Sequence, residues 1–333
     1  MQKSLFAILF IASVLLASCG TPNDPESIIG GDGGYKVVSK FTTEGYAQDV
    51  LVKDTIAYVT QGEGGLMIIN VANHNQPRKL SSKIDSLKGN SNKIAIKDSL
   101  IFISAGSWGV SVVDVSHPLI PSVKTYNVTI KPSIGLDVMD DFVFAAIGES
   151  GFKVSKIVDI NQLDPRGETF APGFAQAVFV STDKKYLFVA CGEMGFAFYN
   201  ISELQSGWGT YPMVGWIDTP GYAEDVVSHP SLPYAFLACG TGGLFVIDYS
   251  DSLNVKVVGS YSTGGYAKEV VYKDNKAYVT TEMRGLQIFD VSNLYAPTRI
   301  GTVETKYAKG LAIDDRYVYI ADEQEGLIII SIP

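Results

Sequence analysis

The chain is short of the residues that most chemistry needs. Three histidines and three cysteines stand among 333 residues. None of the histidines (His74, His117 and His229) has metal-ligand spacing or sits in a nucleophile motif. They read as solvated loop residues. Basic side chains are outnumbered, 26 Lys and Arg against 35 Asp and Glu, for a net charge of −9. That balance keeps a surface soluble and argues against nucleic acid as a partner. The glycine stretches GEGG and GTGG join strand to strand rather than strand to helix, so no phosphate cradle forms. No amphipathic stretch is long enough to be a partner-binding helix. The one long apolar run, residues 5–15, is well short of the about 20 residues that span a bilayer.

That run belongs to a leader. Lys3 supplies the positive start, residues 5–15 the apolar centre, and Leu16-Ala17-Ser18-Cys19 the end. The LASC tetrapeptide closely resembles the lipobox of bacterial lipoproteins. The resemblance implies cleavage after residue 18 and a diacylated Cys19 as the mature first residue. Several acyl chains, at about 0.8 kcal/mol per buried methylene, hold such a protein firmly on a membrane. Gly20 in place of Asp implies onward transport to the outer membrane, so an extracytoplasmic, lipid-anchored location is expected. Residues 19–34 are rich in Gly, Pro and Asp without periodicity and read as a flexible tether.

From residue 35 to 333 one unit recurs. Its cleanest copy, residues 264–305, holds four short β-type runs separated by turn residues: Val270-Val271-Tyr272, residues 277–280, residues 286–291 and residues 299–303. Leu286 and Ile288 fall on one face of the third run, Phe289 and Val291 on the other, so both faces of the sheet need cover. The glycine that opens the third strand recurs at Gly65, Gly109, Gly151, Gly195, Gly243, Gly285 and Gly326. Seven units at a spacing of about 43 residues match four-stranded propeller blades. The seventh unit lacks a fourth strand after Ile332. YKVVSKFTT (residues 35–43) resembles the outer strand VKVVGSYST (residues 255–263) and is expected to complete it. The fold class is therefore all-β, a seven-bladed propeller closed by its N-terminal strand, and a monomer is expected. Cys191 and Cys239 occupy one repeat column. Stacked sheets lie about 10 Å apart and a disulfide needs Cα atoms within about 7 Å, so both read as small buried side chains.

GGLMIINVAN (residues 64–73), GVSVVDVSHP (109–118), GGLFVIDYSD (242–251) and GLQIFDVSN (285–293) resemble the LVIVD repeat. That family comprises bacterial and archaeal surface or secreted proteins, and the resemblance implies a β-propeller over about residues 45–333. It implies nothing about activity. The third unit departs most (GFKVSKIVDINQ), and the fourth carries an insertion, residues 205–212.

Blade symmetry gathers one position per repeat around the channel mouth. Tyr46, Phe174, Tyr222, Tyr266 and Tyr307 start the first strands, and three positions on stand Asp49, Lys93, Asp137, Ala177, Asp225, Glu269 and Gly310. Such a mouth suits a carbohydrate, a peptide or protein partner, or a cation. Gathered carboxylates repel unless a partner or an ion offsets them. Two function classes follow. The first is a membrane-tethered binding or scaffold propeller, neither an enzyme nor a cofactor carrier. The second is a propeller hydrolase or lyase using ring carboxylates, with Ca²⁺ as the ion that a ring of acids accepts. Thr55, Ser86, Ser99 and Ser252 each follow Asp and precede an aliphatic residue. These triplets resemble the acceptor of a bacterial periplasmic O-glycosylation system.

Overall fold

Among the described residues, runs rich in Val, Ile, Phe and Tyr, cut every five or six residues by Gly, Asp or Asn, give strands and leave no length for helices. The computed structural model describes residues 31–82, 87–204 and 208–333. The leader with Cys19, the start of the tether, Ser86, and residues 205–207 of the insertion lie outside the described residues. The strands, β1 to β28 in chain order, form seven four-stranded antiparallel sheets. The innermost are β2 (Asp49–Lys53), β6 (Ile94–Lys97), β10 (Gly135–Met139), β14 (Ala177–Val180), β18 (Asp225–Ser228), β22 (Glu269–Lys273) and β26 (Ala308–Ile313). Each packs beside the next, and β26 returns against β2. Seven blades around a channel result.

Seven apolar clusters fill the seven spaces between neighbouring blades. In β24 (Leu286–Asp290), Leu286 and Ile288 join the cluster toward the last blade, while Phe289 and, just past the strand's end, Val291 join the one toward the fifth. The two-faced pattern of the unit is thus explained by two interfaces per sheet. Full burial of one such Phe or Ile contributes about 1.5–3 kcal/mol.

Closure runs through the N-terminal strand. β1 (Lys36–Phe41) pairs antiparallel with β28 (Gly326–Ser331), from Lys36 opposite Ser331 to Phe41 opposite Leu327. It becomes the outer strand of the sheet whose other members are β26, β27 (Tyr317–Asp322) and β28. Tyr35 is buried, its hydroxyl 3.2 Å from that of Tyr278. The last residues read as tether are held too: Thr302 N, in β25 (Thr298–Val303), donates to Gly31 O at 3.4 Å, and Tyr35 N to Asp32 O at 3.0 Å.

Two of the histidines are half-buried and partnered rather than free in solvent. His74 stacks on Tyr317 with ring centroids 3.8 Å apart and shares a 2.9 Å hydrogen bond between Nε2 and the Tyr319 hydroxyl. His229 Nε2 lies 3.2 Å from the Tyr272 hydroxyl. Both loops curl over a neighbouring blade that presents a tyrosine, which spacing within one blade cannot reveal. Cys191 and Cys239 are free, buried, and lodged in different inter-blade clusters. The insertion of the fourth blade straps the outer edge of the third. Gly209 N donates to Arg166 O at 2.9 Å, and Tyr211 is buried near Phe152.

Candidate functional site: the channel mouth

From the first blade to the seventh, a short ladder links one blade to the next just ahead of the inner strand. The bridges are Gly62 with Ser91, Gly106 with Ser133, Gly148 with Ala175, Gly192 with Ala223, Gly240 with Ala267 and Glu282 with Ala308. Two residues beyond each of these six bridges lies the ring position, Lys93, Gly135, Ala177, Asp225, Glu269 and Gly310; in the first blade Asp49, which opens β2 opposite Thr60, takes the same place. The structure corrects the expected column in the third blade. Ile134 N donates to Ala146 O as Gln48 N does to Thr60 O, so Gly135, not Asp137, is the equivalent of Asp49. Asp137 stands two residues deeper. Because side chains alternate with period two, it keeps to the channel face, where Lys93 and Asp225 are its charged neighbours.

Three of the acids are struts. Asp49 accepts from its own neighbour Val50 N at 2.8 Å and from Ile94 N of the next blade at 3.0 Å. Asp137 does the same with Val138 N at 2.7 Å and Val180 N at 2.8 Å. Asp225 accepts from Val270 N at 3.1 Å. Each carboxylate thus fastens one inner strand to the next. Lys93 serves the centre: its ammonium lies 2.7 Å from Glu269 and 3.7 Å from Asp49. Lys93 belongs to the second blade and Glu269 to the sixth, so the side chain reaches across the channel.

Burial raises the carboxyl pKa of Asp49, Asp137 and Asp225, and the pull of Lys93 and backbone N–H groups only partly reverses it. Glu269 is pushed well above the ordinary carboxylate range, first by burial and then by the charge of Asp49. For Lys93 burial works against the charge, but Asp49, Glu269 and Asp225 together hold the ammonium above its usual range. Lys93 stays charged, and Glu269 is held protonated to higher pH than an ordinary glutamate.

Above this floor opens a cavity of about 220 Å³. Its upper wall includes Gln48, Asn92, Gln176, Glu224, Lys268 and Lys309, the residues one step before the ring position. Glu224 is held by Lys268 at 2.6 Å and by the Tyr266 hydroxyl at 2.6 Å. Gln48 Nε2 donates to Tyr46 O at 3.0 Å and Gln176 Nε2 to the Tyr222 hydroxyl at 3.1 Å. The mouth is therefore lined by amides and paired charges, not by bare acids. Among the described residues no cluster of three His, Cys, Asp or Glu side chains could hold a metal ion. The oxygens of the ring acids face N–H groups and an ammonium, which compete with any cation.

The aromatic column divides. Phe174, Tyr222 and Tyr266 lie against Gly148, Gly192 and Gly240 of the preceding blades, so close that a Cβ there would come within 2.9 Å of the ring. These three wedge the blades. Tyr307 instead meets Glu282, and Tyr46 is 67% exposed.

The LVIVD repeat matches residues 44–82, 220–263, 264–305 and 306–332, which are the first, fifth, sixth and seventh blades. Four of the seven blades match the LVIVD repeat. No curated protein matches the sequence. Among solved structures it is similar to the crystal structure of the computationally designed Ika8 protein, with a TM-score of 0.65 at 9% identity. The likeness covers 90% of this chain and 100% of that one. At that identity it speaks for the fold alone. The four matched LVIVD blades supply all the acids of the ring position, Asp49, Asp225 and Glu269, while the second to fourth blades supply Lys93, Gly135 and Ala177. The mouth is lopsided by sequence.

Glu282 was not among the residues read from the sequence. The turns of the first five blades place a glycine with φ between 49° and 65° at this point, and Glu282 takes the same left-handed conformation at 46°. A side chain there costs about 1–3 kcal/mol and draws attention to function. Its carboxylate accepts from the Tyr307 hydroxyl and lies 3.8 Å from the Lys309 ammonium. The available signal was the absence of that glycine from TTEMRG (residues 280–285).

Proposed function

We propose that this is a binding propeller, tethered to a membrane through Cys19, that takes a neutral, hydroxyl-rich ligand of the carbohydrate class at the channel mouth. The observation that carries the reading is the lining of the cup. Its charges are already paired, Glu224 with Lys268 and Lys93 with Glu269, so a charged ligand gains no unpaired partner. Amides remain to exchange hydrogen bonds with hydroxyls, and the volume lies below the about 300–1,000 Å³ of pockets for drug-sized ligands. It suits one sugar unit. Binding rather than catalysis is favoured because Asp49, Asp137 and Asp225 spend their oxygens on backbone N–H groups, leaving no free carboxylate pair for acid–base work. The tether rests on the LASC tetrapeptide, and metabolic feeding of a tagged fatty acid tests it: wild type is labelled and Cys19→Ala is not. Calorimetry against a panel of hexoses and N-acetylhexosamines tests the ligand class. Binding that Gln176→Ala weakens supports the reading; a mouth that binds only basic peptides overturns it.

A further inference from the structure

A second cavity, of about 460 Å³, lies over the seam where the first and last blades meet, and Thr42, Thr43, Tyr46, Glu323 and Gln324 are among its lining residues. We propose that the ligand is a glycan chain whose next unit lies in this groove, stacked on Tyr46; the inference rests on the carbohydrate reading of the cup. The two cavities share a wall. Lys309 lines the cup, and its ammonium lies 3.4 Å from the carboxylate of Glu323, which lines the groove. The same ammonium sits 4.8 Å above the Tyr307 ring. An ion pair of two side chains thus forms the ridge that a chain crosses between them.

Tyr46 is suited to the task because it is released from the work of its counterparts. Phe174, Tyr222 and Tyr266 each press on a glycine of the preceding blade. The turn that precedes Tyr46 in space has no such glycine. There Asp322 accepts from Tyr307 N, Gln324 N and Glu325 N, and the ring is left 67% exposed. An aromatic with a free face offers contact to the C–H face of a sugar at little rotamer cost. The groove's charge fits a neutral chain as well. Glu44 is bound by Lys79 and Ser82, each at 2.8 Å, and Glu323 by Lys309, so the groove presents acceptors for hydroxyls and no open cation for a polyanion.

The test is calorimetry with β-1,4-linked glucose and N-acetylglucosamine oligomers of increasing length. Affinity should rise about ten-fold from monomer to dimer and then level off. Tyr46→Ala should remove that gain and leave monosaccharide affinity unchanged, Tyr46→Phe should keep it, and Gln176→Ala should weaken every length. Affinity that does not depend on length, or a gain that survives Tyr46→Ala, overturns the groove while the cup stands. If no oligomer and no monosaccharide binds, the carbohydrate reading itself is overturned, and the groove with it.

Discussion

The Lys93 ammonium and the Glu269 carboxylate meet at 2.7 Å across the channel, from the second and sixth blades. Removing one partner of a buried pair strands the other. Lys93→Met should therefore destabilise the fold by about 3 kcal/mol at neutral pH, since Asp49, Asp225 and Glu269 lose their common counter-charge. Chemical denaturation measures this. A variant as stable as wild type sinks the account of the floor.

The same acids set a pH dependence. Their folded pKa values are raised above unfolded values near 4. The folded state then binds more protons, so this stability is complete below the unfolded pKa and is lost as pH rises through the folded one. Asp114 and Asp290 are lowered, by hydrogen bonds from Ser116 and Ser292, and their contribution is lost only as pH falls below about 4. Tm should rise as pH is lowered from 7 to about 5. Glu269→Gln should flatten that slope; an unchanged slope would show that another group drives it.

Turn conformation makes a paired prediction. Gly240→Ala puts a Cβ within 2.9 Å of the Tyr266 ring at a φ of 49° and should cost about 1–3 kcal/mol. Glu282→Gly relieves the same conformation and should stabilise by up to about 1 kcal/mol, the strain released less the entropy that glycine adds to the unfolded chain. Thermal unfolding of both variants should move in opposite directions.

Closure is tested by deletion. Loss of residues 35–43 removes β1 and Tyr35, bares the edge of β28, and should cause aggregation or a large fall in Tm. A monomeric truncation with wild-type Tm contradicts the arrangement.

Of the four Asp-Ser or Asp-Thr triplets, Thr55 and Ser252 are exposed at turns and Ser99 is half-buried, while Ser86 lies outside the described residues. If they are glycan acceptors, intact mass from the native host should exceed the sequence mass at Thr55 and Ser252 first. An unmodified mass ends the idea.

Much of the ring was legible because a repeat reports its own geometry. The glycine column counted the blades, and the two-faced third strand announced an interface on each side. The likeness of residues 35–43 to an outer strand marked the closing partner. What stayed hidden was register and partnership. Asp137 looked like Asp49 because both precede a valine, yet backbone pairing, not the local triplet, decides which residue faces its counterpart. Tyr46 and Tyr266 share a column, but whether such a ring packs or stands free depends on the turn of another blade. The reach of Lys93 to Glu269 spans 176 positions of sequence and leaves no trace in the spacing of either.

The sheet shared by β1 and β28 has a consequence for time as well as for shape. β1 finds no partner until β28 has been made, and at about 5–20 residues per second that wait is on the order of 15–60 s. Through that interval the first strand and the outward face of the first blade have no cover. The six other sheets pair only neighbours in the chain and can form as they emerge, whereas the seventh carries the whole loop-closure entropy of the ring. The slowest step of folding should accordingly be the docking of the first strand onto the last, and a holdase that reads extended apolar segments would find its best target in the residues that later become the clasp.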